Sequence, residues 1–148
     1  MRSNLKTYQK VNRDSSLTTA DPHRVIVMLF DGLLEGISIA KGAIERKDLA
    51  LKSTSLSKSI NILRSFQDTL DFESEPEISD NFNALYEYCI ERLTEASISL
   101  DISELDHVVE LLKPIIDAWK EISESDKQVG YAKQTERDLA KTQQSIGL

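Results

Sequence analysis

Two histidines and one cysteine are the residues of this sequence best suited to chemistry. His107 follows Glu104 at the Glu-x-x-His spacing that presents two metal ligands on one helix face in di-iron bundles. Such a site also needs a second Glu-x-x-His motif and facing glutamates, and the helices predicted before His107 offer no second motif. We therefore interpret His107 as an exposed residue near a helix start. His23 lies in the first turn of another predicted helix, and we expect no metal or cofactor.

Cys89 lies on the predicted apolar stripe of a helix, where a cysteine behaves as a small hydrophobic residue. Because no histidine partner is predicted beside it, a role as nucleophile is disfavoured. Gly32, Gly36 and Gly42 fall inside a helical pattern with no strand before them, so they do not form a phosphate-binding loop. The sequence therefore favours a protein that is not an enzyme.

Charge and composition exclude other classes. The 148 residues are 40% hydrophobic and 29% charged, which is ordinary for one soluble domain. Residues 71–110 hold twelve acidic side chains and one basic one, Arg92, whereas a nucleic-acid groove needs a basic stripe. The plainest interpretation of this stretch is a solvated helix face.

No apolar run approaches the roughly 18 residues of a membrane span, and residues 1–16 lack the apolar core of a secretory signal. We expect a protein that neither inserts into membranes nor binds nucleic acid.

Apolar residues at helical spacing predict four helices. The first begins at Asp21-Pro22, the second near Asp48, the third at a Ser74–Glu77 capping box and the fourth at residues 101–104. Short connections indicate an all-α, antiparallel up-down four-helix bundle over residues 21–122. Residues 1–20 form a short N-terminal arm, and residues 123–148 form a mobile C-terminal tail with at most a marginal helix near 132–142. Pro114 should interrupt and kink the fourth helix.

The first two helices carry more apolar surface than a bundle requires. The first is apolar around most of its circumference, which is typical of a central strut and equally of a helix that lines a groove for a partner. Its small residues Gly32, Gly36 and Ala40 favour close packing inside the bundle, although they would also suit a slot for a partner helix. The second helix has an additional row with Ile62 and Phe66, which we expect to be more exposed than Leu56, Ile60 and Leu63.

Several stretches match a known family in order and spacing. They are residues 8–11 (YQKV), 21–32 (DPHRVIVMLFDG), 56–63 (LSKSINIL), 81–88 (NFNALYEY) and 93–96 (LTEA), followed by Trp119. In this arrangement the sequence resembles the flagellin-specific export chaperone family of bacterial flagella, FliS, over residues 8–122. The sequence departs from the family pattern at Phe82, where leucine is usual, at Pro114, and in its longer tail.

The resemblance implies a cytoplasmic helical bundle that binds the disordered C-terminal segment of flagellin. The bound segment folds into helices, premature polymerisation is prevented, and the cargo stays competent for type III secretion through the export gate. The resemblance also implies that the N-terminal segment covers part of the groove when cargo is absent. We assign twelve apolar residues to partner binding: Tyr8, Val11, Ile26, Leu29, Phe30, Leu33, Leu51, Ile60, Ile62, Leu63, Phe66 and Tyr86.

Two other classes stay open at this point. A metal or cofactor bundle is disfavoured by the missing ligands, and a metal assay would decide it. A regulator that binds another flagellar protein, such as an anti-sigma factor, would use the same groove, and competition with a flagellin peptide would reveal it. A weak homodimer also stays open, because the sequence does not fix the oligomeric state.

Overall fold

The computed structural model describes residues 21–122 and 124–145 of the chain. They form five helices: α1 (Pro22–Glu45), α2 (Leu49–Asp68), α3 (Pro76–Ser99), α4 (Ile102–Lys120) and α5 (Glu124–Ser145). The expected N-terminal arm, with Tyr8 and Val11, lies outside the described residues.

The first four helices form a closed ring. α1 packs against α2, α2 against α3, α3 against α4, and α4 returns to α1. Because short connections reverse the chain between successive helices, neighbours run antiparallel, and the described residues contain no strand. The prediction of an all-α antiparallel four-helix bundle is confirmed.

Aspartate caps begin three of the helices where the sequence predicts them. The Asp21 carboxylate accepts a hydrogen bond from the Arg24 backbone N–H, and Pro22 occupies the first helical position of α1. Asp48 caps α2 through the Leu51 N–H, at 3.1 Å. Asp101 caps α4 by accepting from the Ser103 hydroxyl and N–H, and these two hydrogen bonds lower the pKa of the Asp101 carboxyl.

The predicted capping box at the start of α3 is wrong. Pro76 takes the first helical position, so the N-cap falls on Glu75, whose side chain makes no capping hydrogen bond. Ser74 instead belongs to a turn in which its N–H donates to the Asp71 carboxylate, at 3.0 Å. The Ser79 hydroxyl donates to the Asp71 carbonyl oxygen at 2.8 Å, which ties the first turn of α3 to the α2–α3 connection.

The core lies inside the ring and receives side chains from all four helices. Helical spacing in the sequence predicts a core stripe on α3 made of Ile78, Phe82, Leu85, Cys89, Leu93 and Ala96. The C-terminal part of this stripe is buried, but Ile78 is exposed, and Tyr86 and Ile90, which lie off the stripe, are buried. The cause is that α3 packs against both α2 and α4, so its buried arc is set by two neighbours rather than by one line of residues.

Glycine lets α1 approach α2 closely. A Cβ atom placed on Gly36 would collide with the Ser59 hydroxyl and would lie 3.0 Å from the Ser55 carbonyl oxygen. At the same crossing the Ser59 hydroxyl is fully buried and donates to the Leu33 carbonyl oxygen, at 3.0 Å. Close packing inside the bundle is therefore the role of Gly36.

Two predictions about the C-terminal third need correction. Pro114 does not interrupt α4, which runs unbroken from Ile102 to Lys120. Pro114 and Glu110 are both exposed, so water can bind the Glu110 carbonyl that loses its helical donor. The kink expected at Pro114 stays a prediction. The tail contains a helix much longer than the marginal one expected near 132–142, since α5 runs from Glu124 to Ser145. Its sequence lacks a sustained apolar stripe, but alanine, lysine, glutamine and glutamate favour a helix by intrinsic propensity.

Candidate partner-binding surface

His23 is a structural residue in the first turn of α1. Its ring stacks on the Trp119 indole with 5.3 Å between ring centroids and 12° between planes. The Trp119 indole N–H donates to the His23 carbonyl oxygen at 3.2 Å, and His23 Nε2 lies 2.5 Å from the Trp119 carbonyl oxygen. This pair fastens the start of α1 to the end of α4.

His107 is half-buried rather than exposed, which corrects the interpretation from the sequence. Its Nε2 atom shares a hydrogen bond with the Tyr88 hydroxyl at 3.0 Å, across the α3–α4 contact. Arg92 lies beside the pair, 5.5 Å from the centre of the Tyr88 ring and 3.7 Å from Glu104. Within residues 21–122 and 124–145 no three histidine, cysteine or acidic side chains gather in a group able to hold a metal ion.

Cys89 is fully buried in the core. Burial raises the pKa of its thiol to about 11, so the thiolate needed for nucleophilic attack is scarce at neutral pH. Burial also raises the pKa of the neighbouring Tyr86 hydroxyl, with a smaller contribution from Cys89. The geometry at Cys89 fits a packing role.

Five of the twelve residues assigned to partner binding lie in the core. They are Phe30, Leu33, Leu63, Phe66 and Tyr86. The expectation that Phe66 lies on an open row is wrong, because its side chain is 4% exposed whereas Ile60 is half-buried. The expectation for Ile62 is confirmed against Leu56 and Leu63, which are buried. It is not confirmed against Ile60, because Ile60 and Ile62 are both half-buried.

A line of aromatic rings explains the burial of Phe66. Its ring lies 4.8 Å from that of Phe30 on α1 and 5.7 Å from that of Tyr86 on α3, centroid to centroid. Phe82 continues the line, 5.9 Å from Tyr86. Tilted and offset pairs at these distances are favourable beyond the area they bury. Phe66 therefore fills the space between α1 and α3 beneath the surface.

The other assigned residues that the structure describes are accessible: Ile26, Leu29, Ile60 and Ile62 are half-buried, and Leu51 is exposed. Ile60 and Ile62 cannot share a face of α2, because they are two positions apart. Leu51 and Ile62 do share one, since eleven residues make about three helical turns.

The face of α2 that carries Ile62 lies against α1 near Gly32. A Cβ on Gly32 would lie 3.5 Å from Ile62 Cδ1, and Leu29 lies one turn before Gly32. Ile39, which is exposed, lies seven residues after Gly32 on the same side of α1. We call Leu29, Ile39, Leu51 and Ile62, with Gly32 between them, the α1–α2 surface.

A second apolar feature lies on the outside of α3, and the sequence did not single it out. Ile78, Asn81, Phe82 and Leu85 line an open hollow of about 350 Å³. The sequence pattern predicted core positions for Ile78, Phe82 and Leu85, so it gave no direct signal of a surface hollow. The one indirect signal was a second row of apolar residues on α3, with Tyr86 and Ile90, beside the predicted stripe. Glu77 and Asp80 are exposed next to these residues in the chain. We call this feature the α3 hollow.

Fold and surface together define the class of protein. It is an all-α antiparallel bundle with accessible apolar side chains at two places, the α1–α2 surface and the α3 hollow. None of the helices in the described part of the chain is both long enough and apolar enough to span a bilayer.

Comparison with known proteins identifies the family. Residues 4–126 match the family model described as "FliS: Flagellar protein FliS", and the chain belongs to this family. The chain is 40% identical over 119 residues to the flagellar secretion chaperone FliSB of Pseudomonas aeruginosa, covering 80% of this chain and 94% of that protein. It is 38% identical over 122 residues to the flagellar secretion chaperone FliS of Salmonella typhimurium, covering 82% and 90%. The corresponding protein of Bacillus subtilis is 33% identical over 116 residues, covering 78% and 86%.

Proposed function

We propose that this protein is a flagellar export chaperone of the bacterial cytosol that binds the disordered C-terminal segment of flagellin. Binding covers the flagellin segment that would otherwise pair in a filament. The cargo therefore stays monomeric and competent for secretion, and the complex delivers it to the export gate. The observation that carries the proposal is the accessible α1–α2 surface on a bundle of the FliS family.

The α1–α2 surface suits a segment that folds as it binds. A disordered partner loses conformational entropy on binding, roughly 2–5 kcal/mol or more, so it needs a large apolar footprint. Leu29, Ile39, Leu51 and Ile62 offer side chains along about three turns of two adjacent helices. An amphipathic helix can place its own apolar residues against such a surface, in the helix-in-groove mode.

The buried residues of the original assignment take a supporting role in this proposal. Phe30, Leu33, Leu63, Phe66 and Tyr86 fix the positions of α1, α2 and α3 from beneath, without contacting cargo. Ile26 and Ile60 are accessible at the margins and extend the footprint. A cargo segment that continues around the bundle would meet the α3 hollow as a second apolar contact.

The proposal also includes the N-terminal arm. Tyr8 and Val11 cover the α1–α2 surface when cargo is absent and move when flagellin arrives. A covering segment lowers the apparent affinity by the fraction of time the surface is closed, and it shields apolar side chains from self-association.

A matched pair of variants tests the surface. We expect Ile62→Ser to weaken binding of a flagellin C-terminal peptide about tenfold, because Ile62 lies in the middle of the proposed surface, where the few residues that cost more than about 1 kcal/mol on truncation cluster. Ile98→Ser is the control. Ile98 is the most exposed large apolar residue described, at 76%, and it lies in the last turn of α3, outside the α1–α2 surface. Isothermal titration calorimetry measures both affinities, and circular dichroism verifies that both variants stay helical.

Equal peptide affinity for the Ile62 and Ile98 variants would contradict the assignment of the α1–α2 surface. If neither variant nor the wild type binds the peptide, the choice of flagellin as cargo is wrong. A different flagellar protein would then be the partner to test.

A further inference from the structure

α5 differs from the other helices in how it is held. Described side chains of α5 are those of residue 126 and residues 128–140, and among them only Tyr131 is not exposed. Val129 and Leu139 are 54% and 59% exposed, and none of these side chains belongs to the core. Burial of apolar area, which fixes α1–α4, therefore does not fix this part of α5.

Tyr131 joins α5 to the first turn of α1 through its hydroxyl group. The hydroxyl donates to the Asp21 carboxylate at 2.8 Å and accepts from the His23 backbone N–H, also at 2.8 Å. The first four N–H groups of a helix have no partner within the helix. The Asp21 side chain receives the Arg24 N–H, and Tyr131 receives the His23 N–H, so one cap of α1 is supplied by α5.

The middle of α5 faces the α2–α3 connection across an open gap. Arg137 Nη1 lies 3.6 Å from the Asp71 carboxylate in the α2–α3 connection, with both side chains about a third or more exposed. An exposed ion pair of this kind contributes little to stability. Between α5 and the α2–α3 connection lies an open gap of about 440 Å³. It is lined by Ser74, Glu75, Lys133, Glu136, Arg137 and Ala140.

We propose that α5 is a detachable strap across the end of the bundle, fastened by the Tyr131 hydroxyl, which releases as a unit while α1–α4 stay folded. Local openings of this kind occur where few apolar contacts oppose them. The family match ends at residue 126, so Tyr131 lies in a part of the chain that the family model does not describe. When α5 is docked, Tyr131 binds Asp21, the residue at which the N-terminal arm joins α1. Release of α5 removes this hydrogen bond. This inference does not depend on the identity of the cargo.

Amide hydrogen exchange of the full chain, followed by mass spectrometry, tests the strap with two tyrosine-to-phenylalanine variants. Tyr131→Phe keeps the ring and removes the hydroxyl contacts to the Asp21 carboxylate and the His23 N–H, so exchange in α5 should accelerate about tenfold. Exchange within α2 and α3 should not change. Tyr88→Phe is the matched control, because it removes a hydroxyl contact to His107 on another part of the surface. That variant should leave exchange in α5 as it is in the wild type.

Three results would overturn the proposal. If wild-type α5 exchanges as fast as an unstructured peptide, the strap is not docked. If Tyr131→Phe leaves the rate in α5 unchanged, the hydroxyl is not the fastener. If α5 exchanges only at the rate of the core of α1–α4, it opens with global unfolding and does not detach.

Discussion

Replacing Phe66 with alanine should lower the free energy of unfolding by about 3–5 kcal/mol, the usual cost of removing a buried phenylalanine. The ring of Phe66 packs between those of Phe30 and Tyr86, so its removal leaves a cavity where three helices meet. Urea unfolding followed by circular dichroism measures the change.

Ile62→Ala is the comparison for Phe66→Ala, because Ile62 lies four residues earlier on the same helix but is only half-buried. Its loss should cost clearly less stability. A Phe66 variant that unfolds at nearly the wild-type urea concentration, yet loses peptide affinity, would show that Phe66 lies on the surface and that the account of the core is wrong.

Gly36→Ala should destabilise the protein by about 1–3 kcal/mol, although alanine is the better helix former. The added methyl group meets the Ser59 hydroxyl and the Ser55 backbone carbonyl, and a backbone atom cannot move aside as a flexible side chain can. α1 and α2 must separate to make room, which weakens the packing of the ring between these two helices. Thermal unfolding of the variant measures the loss.

Gly130→Ala makes the same chemical change where space is open. A Cβ on Gly130 meets nothing within 4 Å, so the substitution should leave the bundle unchanged and favour the helical state of α5 by up to about 1 kcal/mol. If both alanine variants had the same effect on unfolding, the tight α1–α2 crossing would not exist in solution.

The fold could be predicted because its signals are local. Asp21-Pro22 and Asp48 mark helix starts by their own chemistry, and the structure begins helices there. At α3 two start signals compete within three residues, and Pro76 decides the outcome over Ser74 because the proline ring fixes the first helical φ. For α5 the sequence predicted only a marginal helix near 132–142, because periodicity detects burial and the described side chains of α5 are nearly all exposed.

The site could be predicted only in part, for a geometric reason. A helix in a four-membered ring has two neighbours, so two adjacent rows of residues can both be buried. Periodicity separates the rows on α2 but does not say which lies beneath the surface. Ile62 and Phe66 share one predicted row, but at about 100° per residue Phe66 is turned roughly 40° from Ile62 towards the buried Leu63. Phe66 is therefore buried, whereas Ile62 is half-buried. The hydroxyl of Tyr131 contacts residues more than one hundred positions away, and no local pattern encodes such a contact.

The central claim is that this bundle binds the C-terminal segment of flagellin and folds it. Mixing the full chain with a flagellin C-terminal peptide, and recording circular dichroism and heat in parallel, tests the claim most directly. We predict one-to-one binding and a helical signal larger than the sum of the separate spectra, because a disordered segment gains helix as it docks. A spectrum equal to that sum, with no heat of binding, would contradict it.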